Sequence, residues 1–137
     1  MFLNTTYQTK EQTELIESIV GKRISVLEAI KMKGIGSRRM IISETSNEIK
    51  IKLRKFRDIN YGNIELRPKG ILVHISCGVN NYTWCIPAFR LAIFHTEKLS
   101  IHSEGNYISF KGKALLENKK FIKKLLNHKI KSSESAC

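Results

Sequence analysis

The stretch GNIELRPKGILVHI, residues 62–75, decides the fold predicted for this chain. It contains two apolar runs separated by the turn sequence RPKG at residues 67–70. Pro68 fixes the backbone angle required at the second position of a β-turn, and Gly70 suits the fourth position. The pattern therefore predicts a β-hairpin, whose two strands are antiparallel because a tight turn joins them.

Further strands are predicted on the C-terminal side of this hairpin. Residues 82–86 read YTWCI, with apolar side chains alternating on one face, and Pro87 ends that strand because it has no amide donor for a sheet. Residues 99–110 read LSIHSEGNYISF, and their central polar turn predicts a second hairpin. Residues 88–94 are apolar on every side, so their pattern leaves a strand and a helix equally open.

On the N-terminal side, an apolar set and a cationic set of side chains alternate along the sequence. The apolar set is Ile49, Ile51 and Leu53, and the cationic set is Lys50, Lys52 and Arg54. This alternation predicts a strand with the apolar set buried and the cationic set in water. Residues 22–33 alternate imperfectly, and both a strand and a helix stay open there. The sequence GIGS at residues 34–37 predicts a flexible turn.

Helices are predicted near both ends of the chain. The sequence TKEQ at residues 9–12 has the form of a capping box, and Gly21 follows the last apolar residue at helical spacing, which predicts a helix over residues 10–20. An apolar stripe in the C-terminal part predicts an amphipathic helix that ends near Ile130. Four of its lysines are expected in water: Lys119, Lys120, Lys123 and Lys124.

The predicted fold class is α+β and mainly β. About seven or eight short strands form a curled antiparallel sheet or a barrel, with an N-terminal helix and a closing C-terminal amphipathic helix. We predict one domain over residues 1–131, in which residues 1–21 are an N-terminal extension, followed by a polar tail over residues 132–137.

This order of elements resembles the pleckstrin-homology-like (PH-like) fold of small bacterial PH-like and GRAM-like domains. The resemblance rests on GNIELRPKGILVHI, on YTWCIP leading into AFRLAIF, on LSIHSEGNYISF and on the terminal NKKFIKKLL, and it covers about residues 22–130. The N-terminal helix departs from the ordinary pattern. If the sheet closes, the resemblance implies a PH-like barrel.

The resemblance also implies a function and a candidate site. PH domains often use basic residues in their first hairpin loop to hold phosphorylated lipid headgroups. Cations similar in placement are Lys31, Lys33, Arg38 and Arg39, with Lys50, Lys52 and Arg54 on a neighbouring strand face. Arg can grip phosphate oxygens bidentately, and Lys acts as a point charge. We therefore expect a non-catalytic binding module that engages a protein partner or an anionic headgroup.

Composition and charge agree with such a module and leave alternatives open. The chain has 137 residues, 42% of them hydrophobic, which is enough for one domain with its own core. The 24 Lys and Arg against 12 Asp and Glu give a net charge of +12, which favours an anionic partner. Residues 22–40 carry six cations against one Glu, and the bland interpretation of this charge run is a solvated surface.

Two other functions stay open at this point. The lysines of the terminal helix would suit a basic protein that binds nucleic-acid phosphates without reading sequence, although no recognised nucleic-acid-binding motif accompanies them. A homo-oligomeric structural domain could instead use the apolar surface expected around Trp84, Phe89 and Phe94.

Catalysis, cofactors and metals are not indicated by any motif. The sequence contains no nucleophile elbow, HExxH, Walker loop or dinucleotide fingerprint. The conceivable metal ligands of the sheet region do not have a zinc-site spacing: His74, Cys77, Cys85 and His102. An odd cysteine count without CxxC spacing favours reduced thiols. Without a visible export signal or an apolar run of about 20 residues, we expect a cytoplasmic protein with no transmembrane segment.

Overall fold

An open, eight-stranded antiparallel sheet forms the frame of the protein. The computed structural model describes residues 1–53 and 60–135. In chain order the strands are β1 (Phe2–Asn4), β2 (Met40–Thr45), β3 (Tyr61–Arg67), β4 (Gly70–Cys77), β5 (Asn80–Pro87), β6 (Ala92–His95), β7 (Leu99–Ser103) and β8 (Asn106–Lys111). Their order across the sheet is β1-β5-β4-β3-β2-β8-β7-β6, and the two end strands do not pair.

Helices flank this sheet along the described part of the chain. They are α1 (Lys10–Val20), α2 (Val26–Lys31), α3 (Asn47–Leu53), α4 (Lys113–Glu117) and α5 (Lys119–Ser135), and a short 3-10 turn follows β5 at Ala88–Arg90. The predicted class is therefore confirmed: the fold is mixed α+β, mainly sheet, with an N-terminal and a C-terminal helix.

Both predicted hairpins are present. In the first, Arg67 at the end of β3 pairs with Gly70 at the start of β4. In the second, Ser103 at the end of β7 pairs with Asn106 at the start of β8. Gly70 is required by packing, because a Cβ atom there would overlap the carbonyl oxygen of Ile86 in β5. The capping box of α1 is also formed, with the Gln12 amide donating to the Thr9 hydroxyl.

The strand predicted over residues 49–54 is wrong, because residues 47–53 form helix α3. Alternating apolar positions include a pair four residues apart, and such a pair shares one face of a helix as well as one face of a strand. Ile49 and Leu53 use that face and are buried, whereas Ile51 is 59% exposed. The helix starts where the Lys50 amide donates to the Ser46 carbonyl. Arg54 lies outside the described residues.

The turn predicted over residues 34–37 does not form the tip of a hairpin. Residues 26–31 form helix α2, whose N-cap Ser25 accepts a hydrogen bond from the Glu28 amide. The turn segment instead runs along β3: the Leu66 amide donates to the Ile35 carbonyl, and the Ser37 amide donates to the Ile64 carbonyl. The hairpin loop that the resemblance implied for Lys31, Lys33, Arg38 and Arg39 is therefore not formed by this segment.

The C-terminal helical region is interrupted and longer than predicted. Asn118 separates α4 from α5, and α5 continues past Ile130 to Ser135. Two contacts with the β3–β4 turn hold its last turns: His128 Nε2 lies 2.6 Å from the Arg67 carbonyl oxygen, and the Ser132 hydroxyl donates to the Pro68 carbonyl. The predicted polar tail is thus helical as far as Ser135, and residues 136–137 lie outside the described range.

Apolar side chains fill both faces of the sheet. The larger core packs β2–β8 against α3 and α5, and its fully buried side chains include Met40, Leu66, Phe110 and Ile122. A smaller cluster on the opposite face lies under α1 and consists of Ile16, Val20, Leu72 and Cys85, with Leu3 and Ile19 packed against it. Trp84 is buried too, so the expectation that it forms part of an exposed apolar surface is wrong. Phe89 and Phe94 are exposed.

Candidate functional site

The predicted cations do not form one cluster. Lys31 and Lys33 lie at the end of α2 and just beyond it, Arg38 and Arg39 lie in the segment before β2, and Lys50 lies on α3. All five are exposed. The Lys52 side chain and Arg54 lie outside the part of the chain whose side chains the structure describes.

Lys124 of α5 lies against the segment that carries Lys33. The Lys124 ammonium donates to the carbonyl oxygens of Lys33 and Gly34, each at 3.0 Å. Burial lowers the pKa of Lys124, and the nearby charge of Lys33 lowers it further. No ion pair to either lysine occurs among the described residues. Backbone oxygens therefore hold the Lys124 ammonium near the charge of Lys33.

Arg38 lies beside the start of α5, where it already has an acidic partner. Its backbone amide donates to Asn118 Oδ1 at 2.8 Å, and its carbonyl oxygen accepts from Asn118 Nδ2 at 3.3 Å. Lys124 lies six positions after Asn118, which corresponds to about 9 Å along a helix. Glu117 lies 3.8 Å from the Arg38 guanidinium in an exposed ion pair. We call Lys33 and Lys124, which have no acidic partner among the described residues, the basic surface.

The remaining predicted cations have other partners. Lys31 lies 3.8 Å from Glu28 one turn back on α2, and Arg39 stacks over the Tyr61 ring with 4.4 Å between the guanidinium carbon and the ring centroid. Lys50 lines a separate polar groove with Tyr107. A side chain that already has a local partner, or lies at another groove, adds little to the basic surface.

An apolar patch lies beside the basic surface on α2. Val26, Leu27 and Ile30 are 76%, 74% and 69% exposed, and no residue of α2 is buried. A shallow groove runs along this helix, and Arg23 and Lys33 line it together with Val26 and Ile30. We call Val26, Leu27 and Ile30 the α2 patch. Apolar and cationic side chains thus form one continuous surface.

Sequence patterns missed two parts of this surface. Lys124 was expected in water as one of the lysines of an amphipathic helix, but its partners are 90 and 91 residues away along the chain. The α2 patch was missed because apolar residues in a short segment normally indicate core. An apolar run bounded by Lys22, Arg23 and Lys31 was the available signal.

A second polar cluster lies on the α1 side of the sheet. Glu65 accepts a hydrogen bond from Arg67 Nε at 2.6 Å, and its other oxygen lies 3.1 Å from His74 Nε2. Arg67 also donates to the Gly21 carbonyl at 3.0 Å, which ties the end of α1 to β3. Because Glu65 and Arg67 are paired with each other and with neighbouring groups, these contacts indicate that the cluster stabilises the fold.

The cysteines and histidines of the sheet do not come together. Cys77 and Cys85 are buried and free, and burial raises the pKa of each thiol to about 11. His102 stacks on Tyr107 and meets the Phe94 ring edge-to-face on another part of the sheet. Across residues 1–53 and 60–135 no three His, Cys, Asp or Glu side chains are grouped as metal ligands would be.

Comparison with known proteins assigns the chain to no family. No family model, no curated protein and no solved structure matches it. Within the described residues, none of the helices combines the length and the apolarity needed to cross a membrane.

Proposed function

We propose that this chain is a small, non-catalytic binding module with a PH-like arrangement, and that it engages a phosphate-bearing anionic ligand through the basic surface. The observation that carries the proposal is the contact between Lys124 and the backbone of Lys33 and Gly34, which fixes the Lys124 ammonium on the segment that carries Lys33. The charge of Lys33 is near enough to lower the pKa of Lys124, and neither lysine has an acidic partner among the described residues.

The order of elements supports the PH-like comparison. A four-stranded meander, β2 to β5, precedes a three-stranded meander, β6 to β8, and the two are joined where β2 pairs with β8. A helix then closes the described chain. This is the order in which the resembling segments follow one another in the sequence.

Electrostatics explains why such a surface would bind an anion. The charges of Lys33 and Lys124 repel each other, and a bound anion relieves that repulsion in the folded state alone. Lys124 cannot move away without losing its two hydrogen bonds to carbonyl oxygens. The surface is therefore preorganised for a ligand whose negative charges are close together, as in a diphosphate.

Thermal unfolding with inorganic pyrophosphate tests the proposal. A ligand at ten times its Kd stabilises the folded state by about 1.4 kcal/mol, which for a domain of this size raises the Tm by roughly 5 °C. The Lys33→Gln variant should lose most of this rise. Lys98→Gln, which removes an exposed lysine from the β6–β7 turn, is the matched control and should keep it.

Equal rises in all three proteins would contradict the proposal. Kosmotropic anions are excluded from every protein surface and stabilise folded states without a site. The nucleic-acid alternative predicts a different result, namely DNA binding that weakens steeply with salt and involves the lysines of α5 as a group.

A further inference from the structure

The α2 patch is formed by side chains that the fold does not use. Ile24, Met32 and Ile35 anchor the segment on both sides of α2 by packing against the main core. Between these anchors, Val26, Leu27 and Ile30 project into solvent, each more than two-thirds exposed. A soluble domain gains nothing from a helix oriented in this way, because burial of apolar surface is the main force that stabilises folding.

Cations surround the α2 patch. Arg23 and Lys33 line the groove beside it, and Lys124 is held against the backbone of Lys33. The acid on α2, Glu28, pairs with Lys31 of the same helix. Apolar side chains bordered by cations, here without an ion-pair partner in the described part of the chain, are the composition of a segment that lies in the interface of an anionic bilayer.

We propose that α2 docks this protein on the surface of an anionic lipid bilayer. Val26, Leu27 and Ile30 enter the boundary between headgroups and acyl chains, while Arg23, Lys33 and Lys124 lie at the level of the lipid phosphates. The inference rests on the proposed function, because the phosphate-bearing ligand of the basic surface is here a lipid headgroup.

The size and shape of the patch favour a bilayer over a protein partner. A stable protein interface buries about 800 Å² on each partner, and three side chains expose only a few hundred. The groove beside the patch is shallow, so it encloses little apolar surface in which an anchoring side chain of a protein partner could be buried. A bilayer accepts a small protruding apolar group when neighbouring cations add electrostatic attraction.

Vesicle flotation tests the proposal with the full-length chain. Vesicles of phosphatidylcholine with one-third phosphatidylglycerol should bind the protein, and vesicles of phosphatidylcholine alone should bind it much less. The double variant Leu27→Ser, Ile30→Ser should weaken binding at least about tenfold. The double variant Arg23→Gln, Lys33→Gln should weaken it about 30-fold. Val79→Ser, at the exposed β4–β5 turn, is the matched apolar control and should bind normally.

Insertion can be measured separately from attraction. Trp84, the single tryptophan of the chain, is 4% exposed, so brominated lipids should not quench the wild-type protein. The added tryptophan of a Leu27→Trp variant should be quenched by brominated lipids in anionic vesicles. An added tryptophan at the control position, Val79→Trp, should not be quenched.

The outcomes distinguish this inference from the proposed function. If pyrophosphate stabilises the protein through Lys33 but anionic vesicles do not bind, or bind the serine double variant equally well, the membrane inference is overturned and the basic surface stands. If neither pyrophosphate nor vesicles bind, both proposals fall. Binding to a protein through the patch without binding to vesicles would also overturn the inference.

Discussion

Replacing Glu65 with glutamine should destabilise the protein at neutral pH by an amount that shrinks in acid. Glu65 and Arg67 are neighbours on one face of β3, and their side chains are 17% and 12% exposed. The carboxylate binds Arg67 through one oxygen and faces His74 of β4 through the other. Removing its charge would leave the guanidinium of Arg67 nearly buried without a counter-charge, which is costly.

The pKa of Glu65 sets the magnitude. Burial alone would raise this pKa, but hydrogen bonds from His74 and Arg67, together with their charges, outweigh burial and lower it from 4.5 to about 2. That difference corresponds to about 3 kcal/mol of folding stability. Because the folded-state pKa is depressed, the contribution is fully present above about pH 4.5 and is lost as the pH falls towards 2.

Urea unfolding at a series of pH values measures this contribution. At pH 7, Glu65→Gln should lower the free energy of unfolding by about 3 kcal/mol relative to wild type. Near pH 3 the difference should be less than half as large, because wild type has by then lost much of the same contribution. Glu97→Gln, at the exposed β6–β7 turn, is the matched control and should stay within about 0.5 kcal/mol of wild type at pH 7.

A difference between wild type and Glu65→Gln that stays constant from pH 7 to pH 3 would refute the reasoning. It would mean that Glu65 stabilises the sheet through packing or neutral hydrogen bonds, which do not titrate. A difference below about 0.5 kcal/mol at pH 7 would show that the desolvation of Glu65 and Arg67 cancels their attraction.

Two further predictions concern the fold. Ile49→Ala should lower the free energy of unfolding by about 2–5 kcal/mol and Ile51→Ala by less than about 0.5 kcal/mol, because α3 buries Ile49 and exposes Ile51. Equal losses of stability in urea unfolding would instead support a strand at these residues. Gly70→Ala should lower the free energy of unfolding by about 3 kcal/mol or more, because a Cβ added at residue 70 overlaps backbone atoms. Gly36→Ala should be nearly neutral, because a Cβ added at residue 36 lies 3.8 Å from its nearest neighbour. Similar melting temperatures for both glycine variants would contradict the β4–β5 pairing.

The parts of the fold that sequence predicted are those fixed by local chemistry. The β3–β4 turn follows from Pro68 and Gly70, and the start of α1 follows from Thr9 and Gln12. A turn or a cap depends on residues a few positions apart, so its signal survives in the sequence. Pro87 likewise ends β5 as expected.

The errors arose where one pattern fits two structures. Apolar and polar residues alternate over residues 49–53 as they do in a strand, yet Ile49 and Leu53 are also one helical turn apart. Both side chains pack in the main core, and this packing favours the helix. Intrinsic preference is too weak to overrule such packing. The end of α5 was missed for a similar reason, because Ser132 looks like part of a polar tail until it contacts Pro68.

The candidate site was harder to predict than the fold, because periodicity describes the faces of one element and not what covers them. Lys33 was expected in the candidate site, but Lys124, which contacts its backbone, lies 91 residues later in the chain.

The α2 patch presents the opposite difficulty, because its apolar residues look like core residues in the sequence. A six-residue helix is too short to be stable by itself in water, and here Ser25 and the anchoring of Ile24 and Met32 hold it in place. Once the helix is held by its ends, its outer side chains are free of any role in folding. Substitutions in the patch should therefore alter binding while leaving stability unchanged, which allows the proposed docking to be tested in folded variants.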